Sequence, residues 1–197
     1  MKKIVQIVLF SAFAISFCQN VNAEDYHNAN ALRVYTRIDM GFSIGETKFG
    51  KKGADSDGIA EIGGISNIAI GTEIGKSRFE IAYQERESVS EAITSIVGVK
   101  SSFEAFAFMA NAYYDYLRDK HFAMYVGAGA GAARYHWQTS IWGSKANGRG
   151  WSFTGGLYTG ISFVFTDIAW DIGLDYYYIR EPETNSLVPK TGLRIRF

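Results

Sequence analysis

The sequence is short of the residues that usually lock or break a chain. Of its 197 residues, one is cysteine, Cys18, and two are proline, Pro182 and Pro189. Cys18 lies in the N-terminal segment that reads as an export signal. The mature chain therefore has no disulfide framework and no thiolate chemistry. After residue 17 there is no long apolar run, so no helix of roughly 20 apolar residues is available to cross a bilayer. Charge of one sign is lacking too. Lysine plus arginine number 20 against 20 aspartate plus glutamate. Loss of Lys2 and Lys3 leaves 18 against 20, a balance of −2, which excludes the basic footprint of a nucleic-acid partner. The three histidines, His27, His121 and His136, have no metal-ligand spacing. No metal or other cofactor is expected.

The N-terminus reads Met1-Lys2-Lys3, an apolar run from Ile4 to Phe17, and a small-residue end at Val21-Asn22-Ala23. That order is the signature of a secretory signal peptide, with cleavage predicted between Ala23 and Glu24. Phe17 before Cys18 lacks the small side chain that lipidation requires. Residues 1–23 are thus read as a removed signal, and 24–197 as one domain.

Aromatics and glycines are abundant, with 14 phenylalanines, 12 tyrosines and 21 glycines. Their order alternates. Residues 32–44 put Leu32, Val34, Thr36, Ile38, Met40, Phe42 and Ile44 on one face and Arg33, Tyr35, Arg37, Asp39, Gly41 and Ser43 on the other. Weaker versions recur seven times. Among them are a hairpin through Gly75-Lys76-Ser77, a stretch near 103–116 that also fits a helical stripe but whose aromatics suit a strand, and the terminal Leu193, Ile195 and Phe197 interleaved with Arg194 and Arg196. The sum is eight strands. An apolar face that looks outward demands closure, because an unpaired backbone group in lipid costs several kcal/mol. The predicted fold is all-β, an eight-stranded antiparallel up-and-down transmembrane barrel. Connections alternate between short turns and long loops, the latter over 45–64, 85–101, 136–150 and 180–189, as in bacterial outer-membrane barrels.

Eight strands enclose a lumen that side chains can fill. The inward parity carries Arg33, Arg37, Arg78, Arg86, Arg194 and Arg196 against Asp39, Glu73, Glu80, Asp115, Asp171 and Asp175. A structural ion network is predicted there, since buried charges persist only when paired. Asp171 and Asp175, separated by about 13 Å of strand, cannot share a proton. Gly127, Gly129 and Gly131 read as space-savers facing a crowded lumen, not a phosphate loop. His136 and Ser140 are the nearest imitation of a lipid-modifying site, with no carboxylate close in sequence. Catalytic residues are therefore not expected. Specificity is expected in the long loops, with Trp137, Trp142, Lys145 and Arg149 as contact candidates in the third.

The signal peptide, Asn111-Ala-Tyr-Tyr-Asp115, Tyr125-Val-Gly-Ala-Gly-Ala-Gly131 and Leu193-Arg-Ile-Arg-Phe197 together resemble the small opacity-protein and OmpA-transmembrane-domain-like outer-membrane barrels, the porin-family surface antigens of Gram-negative bacteria. The resemblance implies an outer-membrane location. It also implies contact with outer-membrane lipid and lipopolysaccharide, recognition of Phe197 by the barrel-assembly machinery, and a surface role in adhesion, host interaction or envelope integrity. A narrow pore for small solutes and an outer-membrane lipid-modifying enzyme are the alternatives.

Overall fold

The computed structural model describes residues 32–48, 59–89, 99–141 and 144–197. The signal segment and the Ala23–Glu24 bond lie outside the described residues, as does Trp142. Eight strands follow in chain order: β1 (Leu32–Lys48), β2 (Ile59–Ile74), β3 (Ser77–Val89), β4 (Val99–Arg118), β5 (Phe122–Ile141), β6 (Ser144–Phe165), β7 (Ile168–Ile179) and β8 (Glu183–Arg196). Each pairs antiparallel with the next, and β8 returns to β1 through Tyr35↔Arg196 to Lys48↔Glu183, closing the barrel. The stretch 103–116 lies wholly within β4. Its Phe108, Tyr114 and Tyr116 point out while Phe103, Met109 and Tyr113 point in.

At the end where β1 begins and β8 finishes, the termini end, the turns are tight. Gly75 has φ 58° between β2 and β3, and Thr166 has φ 38° between β6 and β7. Both sit in two-residue connections, where positive φ matches the twist of the strands. Phe197 closes this end by donating its N–H to the Val34 carbonyl.

The opposite end corrects the predicted loops. Strands continue through much of each: 42–47 pair with 59–64 across β1 and β2, β8 begins at Glu183 rather than after Pro189, and between β5 and β6 only residues 142–143 intervene. Ser144 to Gly150 carries no apolar face from which a strand could be read, yet it completes a ladder with β5. Pairing to a neighbour decides its conformation, not its own pattern.

The wall is inverted relative to a soluble barrel. Ile38, Met40, Phe42, Ile81, Leu157 and Leu174 all face outward, with Ile81 67% and Leu157 61% exposed. An apolar belt that encircles the molecule far exceeds what a soluble monomer shows to water; it is flanked by aromatic rings, the layout a barrel needs to sit in a bilayer. Tyr83, Phe106, Phe108, Trp151 and Phe153 mark its loop-end border, and Phe122, Phe163 and Trp170 its termini-end border.

Candidate functional site

The termini half of the lumen is crossed by two sets of ion pairs, joined through Tyr35 and Tyr113. Glu73 on β2 accepts from Arg194 Nη1 at 3.3 Å, from Arg196 Nε at 3.1 Å and from Arg118. Asp115 pairs with Arg78 at 2.8 Å, and Asp171 with Arg194 at 3.2 Å and the Ser162 hydroxyl. Higher up, Arg37 reaches Glu80 at 2.8 Å and Asp39 at 3.0 Å, and Lys190 joins Asp39 at 3.5 Å to Asp175 at 2.7 Å. Six cations thus face six carboxylates, so the lumen plug is neutral.

Tyrosines fill the space between the charges. Glu80 accepts hydrogen bonds from the hydroxyls of Tyr35 and Tyr113 and from the Asn111 amide. Tyr113 lies 5.3 Å from Tyr158 in a stacked pair and 5.8 Å edge-on to Tyr125. The Arg78 guanidinium sits over both Tyr125 and Tyr113, at 4.7 and 5.0 Å. The glycines make room: side chains at 127 or 129 would collide with the Tyr113 ring and the Asn111 side chain.

Ten of the twelve residues predicted for the lumen take part in these ion pairs. Arg33 stands half-buried opposite Glu73 in the β1–β2 register. Arg86 is buried but has no carboxylate within ion-pair distance among the described residues. It donates to Ser186 and lies over the Phe103 ring, while its Nε and Nη1 have no acceptor among those residues. Asp171 and Asp175 have separate partners.

Sequence reasoning missed Lys190, Arg118 and the tyrosines. Lys190 shares parity with Arg194 and Arg196 but fell beside an assumed loop. Arg118 reaches the lumen because the β4–β5 register shifts between Asp115 and Leu117, which breaks the parity count.

The chain matches no family model and no curated protein. Among solved structures it is similar to Neisserial surface protein A, at 21% identity over 83% of this chain and 97% of that one, with a TM-score of 0.61. It is also similar to Ail, the attachment invasion locus protein of Yersinia pestis, at 15% identity over 83% and 98% with a TM-score of 0.50. A major outer membrane protein from Thermus thermophilus gives 10% over 85% and 100%, with a TM-score of 0.50. The fold is that of the small outer-membrane β-barrels.

The loop-end rim is lopsided. The last β6–β7 pair is Thr154↔Ile179, so Ser144 to Phe153 ladders only with β5 and stands above the β7–β8 turn. On its outer face Arg134 lies opposite Trp151, Arg149 opposite His136 and Lys145 opposite Ser140. Arg180 joins them from the end of β7, its N–H donated to the Phe153 carbonyl. The contact candidates do not converge. Trp137 has the opposite parity to Lys145 and Arg149 and turns its ring over Gly148 on the inner face. His136 pairs with the Gln138 amide, not with Ser140. Among the described residues no group of three or more histidine, aspartate or glutamate side chains could hold a metal ion.

Proposed function

We propose that this chain is a non-enzymatic surface barrel of the outer membrane whose raised rim binds a host or envelope component. The observation that carries this reading is the contrast between a lumen crossed by paired charges and stacked tyrosines and a β5–β6 hairpin built well above it. With the lower lumen so occupied, the exposed rim is the part of the molecule left to meet a ligand. Two of the barrels with this fold bear names of surface and attachment proteins, which supports the class of role without choosing the ligand.

Two further partners belong to the same reading. Arg134, Arg149 and Arg180 surround the exposed Trp151 at the border of the apolar belt, the level of lipid phosphates, and suit lipopolysaccharide there. Phe197, at the end of an alternating strand, suits recognition by the barrel-assembly machinery. The test is to replace residues 138–147 by a two-residue turn. The shortened protein should keep the gel mobility shift of a folded barrel and lose attachment to host cells and matrix. Undiminished attachment would refute the rim as the binding surface.

A further inference from the structure

The hairpin leaves one sheet edge open. Arg180 donates its N–H to the Phe153 carbonyl and Glu181 donates its N–H to the Ser152 hydroxyl, and there the covering of β6 stops. Above that point, among the described residues, no strand pairs with the β7 side of Ser144 to Trp151. Over eight residues of extended backbone, every second one thus turns to this edge an N–H and a C=O that have no strand partner among the described residues, about 27 Å of template for another strand.

The two faces of this edge differ in chemistry. Outward stand Lys145, Asn147 and Arg149. Both cations are exposed and have no ion-pair partner among the described residues. Inward stand Ala146, Gly148 and Gly150, side chains too small to cover anything. The rings of Trp137 and Tyr135 lie over the two glycines instead. A strand laid along this edge would alternate likewise, with one set of side chains beside the cations and the next beside glycine and aromatic surface.

We infer that the free edge of β6 is a docking site for an extended segment of a partner protein in which acidic and apolar residues alternate. This inference rests on the surface-binding reading and gives it a mode, strand addition, and a partner chemistry. The backbone ladder holds the segment. Lys145 and Arg149 select carboxylates on one face, and Tyr135 and Trp137 select apolar side chains on the other. Lys145 and Arg149 also deter a second copy of the same edge, since like charges would meet across the pair.

The test uses the full chain folded in detergent micelles and a synthetic peptide alternating glutamate with valine. Two N-methylated versions are made, each blocking alternate amides, because only every second N–H of an added strand faces the sheet. Saturable binding is expected for the parent peptide. One methylated register should lose about tenfold or more in affinity while the other keeps it. Lys145→Glu with Arg149→Glu should weaken the glutamate peptide by about tenfold and favour a lysine–valine peptide. Unchanged gel mobility shows that this variant is folded. Absence of saturable binding, or equal response to both methylation registers, overturns strand addition. So does a double variant that alters only attachment to vesicles containing lipid A, for the cations would then serve the membrane. Cell attachment that survives shortening of the hairpin while the peptide still binds would sink the surface-binding reading and leave the edge site standing. The reverse pair of results would do the opposite.

Discussion

The two halves of the lumen are built from the same strands and solve the same problem differently. Toward the termini every cation and carboxylate of the plug has an ion-pair partner, with Glu73 alone held by three arginines. Toward the loops the described interior carries only Glu61 and Arg86 as buried charges, and they do not touch. Glu61 is held by the hydroxyls of Thr47 and Ser88, and Arg86 by Ser186. The rest is small or neutral: Ser43, Ala105, Ala133, Thr154, Ser186 and Val188. Charge density in the lower half carries rigidity, because buried ions hold a structure only where each has its partner. The upper half can vary its contents without unbalancing a network.

The largest test of this contrast is Glu73→Ala. It takes from Arg196 its one ion-pair carboxylate and leaves Arg194 only Asp171 and Arg118 only Asp115, and should cost about 3 to 5 kcal/mol, read from urea unfolding of the folded protein in detergent. Next comes the wall that surrounds both halves. Ile172→Arg places a charge on the lipid face, and about 2 to 4 kcal/mol of lost stability is expected near the bilayer midplane, measured as a fall in the fraction folded in vesicles. Arg86→Met sharpens the comparison from the other side. It removes a buried cation that has no carboxylate within reach, so the change in unfolding free energy should stay within about 1.5 kcal/mol of zero, in either direction. A loss as large as that of Glu73→Ala would erase the distinction between the halves. Arg149→Gln, exposed on the rim, should move stability by less than about 0.5 kcal/mol in the same assay.

Much of this architecture was readable from parity. The barrel needs a side-chain period of two, and the apolar face from Leu32 to Ile44 states it outright. The glycines opposite Tyr113 and the arginines of the last strand fall on the parity that points inward. Three things were hidden, each for a physical reason. Above the lipid belt, outward residues need not be apolar, so Ser144 to Gly150 and Glu183 to Pro189 show no alternation although they are strands. A register shift near Asp115 turns Arg118 inward against the count. And separation in space is not visible along a chain: Trp137 and Arg149 sit near each other in sequence order, yet pleating sends them to opposite faces of one ribbon.

The proposal of a binding rim rests on the filled lumen, and electrical conductance tests that most directly. The full barrel, folded and inserted into a planar lipid bilayer, should give no discrete channel openings at potentials where an open pore conducts. Steady single-channel steps that scale with salt concentration, from protein shown by gel mobility to be folded, would contradict a closed lumen and return the search for function to its interior.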